Sequence, residues 1–113
     1  MIKTFPQLYM YFVQSTVEYT LAAKRKHCVG SEVKMGYQYS LEDCAKACFN
    51  VSSMFIYGTN DFNYYPPRCS VAQDGCLCYC QISASEEGSC DTKAHMGYKL
   101  YRYANKGWFM IVI

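Results

Sequence analysis

The sequence predicts an α+β fold: a small disulfide-rich domain with one helix packed on a mainly antiparallel sheet. Three observations point there. Eight cysteines fall within 113 residues. Residues 40–48 carry both a helix-capping signal and helical periodicity. Several short apolar or alternating segments around them have strand character.

Composition narrows the class further. At 51% hydrophobic and 18% charged, the chain is too apolar for a disordered tail. Its length suits about one domain. A net charge of +2 makes no concentrated basic face, so no nucleic-acid partner is expected. No apolar run is long enough to span a bilayer.

Taken in order, residues 1–16 read as an N-terminal apolar arm or a weak signal segment. Met1-Ile2-Lys3 could serve as its basic start and Thr20-Leu21-Ala22 as a cleavage site, but Pro6, Gln7, Gln14 and Glu18 interrupt the apolar core. Val17, Tyr19 and Leu21 alternate with polar or small residues, as in a half-buried strand. Lys24-Arg25-Lys26-His27 reads as a solvated loop leading into Cys28, with a polyanion contact as the alternative.

The helix is expected over residues 41–49. Ser40 is a good N-cap, Asp43 approximates a capping box, and Glu42 and Asp43 complement the helix dipole. Leu41, Cys44, Ala45 and Cys48 share one face. Residues 54–57 (MFIY) form a buried strand ended by Gly58, and residues 59–67 a turn-rich loop. Residues 69–71 and 76–81 flank Asp74-Gly75 and read as a hairpin. Residues 82–93 look loop-like, and residues 98–103 alternate as the last core strand. The core unit is then 17–103, with 104–113 an apolar C-terminal tail.

The cysteines admit a metal reading and a disulfide reading. In Cys76-Leu77-Cys78-Tyr79-Cys80, strand geometry at ~3.3 Å per residue spaces neighbouring thiols roughly 6.5–7 Å apart on one face. They do not converge on one ion, so no metal is expected. Cys44 and Cys48 are separated by about 6 Å along a helix, which matches that strand spacing. A helix lying on the strand can be fastened to it at two points. Which helix cysteine meets which strand cysteine stays open. All of Cys28, Cys44, Cys48, Cys69, Cys76, Cys78, Cys80 and Cys90 are expected to be bridged. Asn50-Val51-Ser52 is an N-glycosylation sequon, so Asn50 is a candidate glycan site. Together these features predict a secreted, extracellular protein.

At this point the residues resemble a known family. The run Ser-Leu-Glu-Asp-Cys-Ala-Lys-Ala-Cys at 40–48 is followed after five residues by a strand. A cysteine-bearing hairpin and a Tyr-rich closing strand come next. This resembles a PAN/Apple domain over residues 17–103. The resemblance implies a sheet cradling one helix, disulfides from helix to sheet, and a first-to-last bridge Cys28–Cys90. It also implies an extracellular module that binds protein or carbohydrate and has no catalytic site. One position departs: Met54 stands where family members usually carry a cysteine. Cys48 therefore needs another partner, which residues 76–80 supply.

No GxSxG, P-loop or HExxH motif occurs, so neither catalysis nor a cofactor is expected. His27 and His95 would need a free thiol to form a nucleophile pair, and Glu86-Glu87 reads as a solvated turn. Tyr37, Tyr39, Phe62, Tyr64 and Tyr65 are placed in loops, where rigid amphipathic rings offer contact surface. The alternative function is a structural subunit that self-assembles into extracellular fibres, as a homo-oligomer or filament. Its candidates are Leu8, Tyr9, Tyr11 and Phe12 at one end, and Trp108, Phe109 and Ile111 at the other. These two apolar, β-prone ends are expected to pair with each other, within one chain or between two.

Overall fold

The computed structural model describes residues 17–60 and 76–104, and the backbone of residues 10–13 and 109–112. Its elements are β1 (Met10–Val13), β2 (Tyr19–Cys28), β3 (Val33–Gln38), α1 (Leu41–Cys48), β4 (Met54–Gly58), β5 (Cys76–Cys80), β6 (Thr92–Tyr103) and β7 (Phe109–Val112). Five strands form one antiparallel sheet in the order β2-β6-β4-β5-β3, and β1 pairs with β7 as a separate ribbon.

Local chemistry starts α1 where the sequence says it should. The Ser40 hydroxyl accepts from the Asp43 N–H at 3.0 Å, so one orphan donor of the first turn is satisfied. Cys44, Ala45 and Cys48 turn inward and are fully buried. The helix lies over β3, β4 and β5. Beneath it, Phe55, Cys78, Cys80 and Tyr103 complete the first core. The Tyr103 hydroxyl crosses to donate to the Ala45 carbonyl.

Met54, Ile56, Tyr98 and Leu100 form a second core on the opposite face, joined by Cys28. Gln81, itself fully buried, ties the segment after β5 into that face: its Oε1 accepts from the Cys28 N–H at 2.8 Å. Because β4 is covered on both faces, its residues read as a continuous apolar run rather than an alternation. Gly58 ends it at a close crossing. A Cβ there would lie 2.0 Å from the Gly97 carbonyl oxygen of β6.

Several expectations are corrected. Lys24 to His27 are not loop but part of β2, with Arg25 bulged out at φ 57° between Lys24↔Lys99 and Lys26↔Ala94. The bulge lets exposed cations occupy an edge strand without a regular alternation. Leu21 is not inward-facing; it is 44% exposed, because α1 covers β3–β5 and leaves β2 open. Tyr37 is on strand β3 rather than in a loop; Tyr39 follows in the bend. β6 begins at Thr92, inside the segment read as loop. β5 pairs antiparallel with β3 along one edge and with β4 along the other. Residues 61–75, with the expected hairpin turn and most of the aromatic loop, lie outside the described residues, as does the segment 1–9.

Candidate functional site

Three bridges hold the described domain together. Cys44–Cys78 and Cys48–Cys80 fasten α1 to β5 at two points, with Cα separations of 5.6 and 5.3 Å. Cys28–Cys90 joins the end of β2 to the segment before β6. Cys76 is bridged as well; Cys69 lies outside the described residues. The double fastening follows from two periodicities. Four residues of helix and two of strand advance the chain by nearly the same distance. Cys48 Sγ lies only 3.8 Å from Cys78 Sγ, so Cys44, Cys48 and Cys78 cluster tightly. Each of those sulfurs is already spent in a bridge, which leaves no thiolate there to ligate an ion or attack a substrate. Bridges of this kind form in an oxidising environment.

The braced layer ends in edge strand β3. Its far end is held by the Tyr57 hydroxyl, which donates to the Gln38 carbonyl at 2.7 Å. The Gln38 amide in turn donates back to the Met35 carbonyl at 3.1 Å. Gly36, at φ 81°, supplies the left-handed residue of a bulge between Lys34 and Gly36. Tyr37 and Tyr39 project from this edge, 58% and 64% exposed. Of the other expected contact aromatics, Phe62, Tyr64 and Tyr65 lie outside the described residues.

Asn50 sits in the turn after α1 and is exposed. The turn is closed by the Val51 and Ser52 N–H groups, both donating to the Cys48 carbonyl. Glu86 and Glu87 are exposed in a turn.

One constellation carries no sequence signal. His27 and His95 meet edge to face, ring centroids 5.6 Å apart, across the β2–β6 irregularity. His95 also stacks on Tyr98. Its Nδ1 accepts from the Gly97 N–H at 3.2 Å, and its Nε2 lies 3.0 Å from Asn60 Oδ1. That assigns the proton to Nε2. His27 Nδ1 is 3.7 Å from Glu32 Oε2, beyond hydrogen-bond distance, and that oxygen accepts from the Gln81 amide at 2.6 Å. Burial, then the neighbouring His27, holds His95 below the usual histidine range. Burial, then Tyr79, pushes Tyr98 up to about 12. Spacing cannot reveal this contact, because a four-residue excursion of β6 opposite Arg25 creates it.

The terminal segments meet within one chain. Tyr11 pairs with Ile111, Phe12 with Met110 and Val13 with Phe109; Leu8, Tyr9 and Trp108 lie outside the described residues. No family model, curated protein or solved structure matches the chain.

Proposed function

We propose that the chain is an extracellular, non-catalytic binding module of PAN/Apple type that recognises protein or carbohydrate. The observation that carries this reading is the Tyr37/Tyr39 pair on a braced edge. Tyr37 sits outward on a strand hydrogen-bonded to β5, Tyr39 sits outward in the bend that follows it, and β5 is bridged twice to α1. Rings presented on a rigid base lose little conformational freedom on binding, while their hydroxyls supply adaptable hydrogen bonds. The bridged cysteines and the exposed sequon support a secreted route.

Glycan and ectodomain arrays probed with wild type and with a Tyr37→Ser/Tyr39→Ser variant test it. Binding should be found for wild type and lost in the variant, with the disulfide pattern and circular dichroism unchanged. Wild type that binds nothing on either array, or binding indifferent to both tyrosines, contradicts the reading.

A further inference from the structure

The low net charge hides a cationic stripe. Five of the chain's 11 Lys and Arg residues, Lys24, Arg25, Lys26, Lys93 and Lys99, lie on the paired strands β2 and β6, and all five are exposed. Since the whole chain carries only +2, its remainder is net acidic. The stripe is built around the Arg25 bulge. On one side of the bulge Lys24 pairs with Lys99; on the other Lys26 pairs with Ala94 and His27 with Lys93. Arg25, between them, is the one described residue other than glycine at positive φ. From Lys24 to His27 the strand runs about 10 Å.

Lys24 and Lys99 are like charges directly opposite each other, so their side chains leave the sheet on one face. Lys99 also pairs with Tyr57 of β4, which packs on the core beneath α1. The pair therefore stands on the face that carries α1, beside the helix, which lies over β3, β4 and β5. Nothing in the described fold neutralises it. Among the described residues no Lys or Arg is within ion-pair distance of a carboxylate; the one contact of that kind is His27 with Glu32. Asp91, exposed, stands at the end of the stripe, one residue beyond the Cys28↔Thr92 pair. Opposed like charges destabilise a sheet, and an anion held between the two ammonium groups relieves that repulsion.

We infer that this stripe binds a linear sulfated polysaccharide, with sulfate groups seated between ammonium groups of β2 and β6. Charge complementarity selects a polyanion, and the fold narrows which one. β2 is an edge strand, but its two register shifts break the backbone ladder that an added acidic strand needs. The occupant must grip side chains instead, and a Lys ammonium is a point charge that needs no fixed acceptor plane. Duplex nucleic acid, with one charge per ~1.7 Å of axis, extends far past so short a stripe, and the acidic remainder of the chain repels it. The inference rests on the extracellular part of the proposed function and names a carbohydrate class for it. It does not use Tyr37 or Tyr39, which belong to the opposite edge of the sheet, at β3.

The experiment is calorimetric titration of the full chain with a size-defined heparin oligosaccharide, its desulfated form and single-stranded DNA, at several salt concentrations. Wild type should bind the heparin oligosaccharide with an affinity that falls as salt rises, bind DNA more weakly and ignore the desulfated form. Lys24→Gln/Lys99→Gln should weaken binding by about tenfold or more and flatten the salt dependence. Removing an opposed like-charge pair does not threaten the fold, and circular dichroism checks this. Lys34→Gln/Lys46→Gln makes the same change in net charge away from the stripe and should leave the affinity nearly unchanged. Tyr37→Ser/Tyr39→Ser should bind as wild type does, so failure of the aromatic-edge reading and failure of this one are read separately. A wild type that ignores heparin overturns the inference. So does an equal loss in both lysine pairs, DNA bound as tightly as heparin, or a loss confined to the tyrosine variant.

Discussion

His95 lies face to face on Tyr98, ring centroids 3.4 Å apart and planes 4° from parallel. The Gly97 N–H at Nδ1 needs a neutral imidazole, since a protonated Nδ1 cannot accept it. Burial, with His27 alongside, depresses the His95 pKa in the fold, whereas the unfolded chain protonates at about 6.5. As pH falls through that value the unfolded state takes up the proton first, so stability is lost as the solution acidifies towards the folded pKa. Glu32 is the carboxylate facing this group, and Lys93 pairs with His27 on β2. The guanidinium midpoint should drop between neutral pH and pH about 5, and the slope should flatten in His95→Asn, whose Oδ1 can still accept from Gly97. An equal slope in both proteins excludes His95 as the cause.

The two bridges of α1 share one closure. With Cys44–Cys78 intact, Cys48–Cys80 closes only a small ring. With it gone, the same bond closes a loop of sequence separation 32. Removing either bridge as an Ala pair should cost roughly 2–4 kcal/mol. Removing both should cost about 1 kcal/mol more than the sum, from the extra loop entropy. Equilibrium denaturation of the four proteins measures this coupling, and simple additivity would contradict it.

Gly58 and Gly36 should respond differently to alanine. At Gly58 the added methyl meets the Gly97 backbone, which cannot swing aside; the loss should be about 3 kcal/mol or more. At Gly36 the methyl meets nothing within 4 Å. Only its left-handed backbone, at φ 81°, is penalised, by about 1–2 kcal/mol. Thermal midpoints that rank the two the other way would refute the close crossing of β4 and β6.

Asn50 faces solvent just past the helix. Protein made through a eukaryotic secretory route should therefore lose mass on glycosidase treatment, and Asn50→Gln should abolish that loss. An unmodified Asn50 in secreted protein would remove the glycan from the proposal.

The helix is legible in the sequence because Ser40, Asp43 and the Cys44/Cys48 face act locally, within one or two turns. β4 is legible because burial on both faces leaves an unbroken MFIY run. β3 is not: Lys34 and the Gly36 bulge break the period of two that marks a strand. The lower half of β2 is hidden for the same reason, since an edge strand guarded by cations looks like a loop. At the site, the cysteine spacings already imply two fastenings, but only the direction of α1 along β5 decides which sulfur meets which. The His27–His95 contact depends on a tertiary bulge and leaves no local signal. The pairing of the two ends follows from their apolar, β-prone character. That it occurs within one chain requires the register.

The central claim is a helix pinned in parallel to one strand. Peptide mapping of the non-reduced protein by mass spectrometry tests it most directly. It should return Cys44–Cys78, Cys48–Cys80 and Cys28–Cys90 with no free thiol. The crossed pairs Cys44–Cys80 and Cys48–Cys78, or free helix cysteines holding a metal ion, would contradict it.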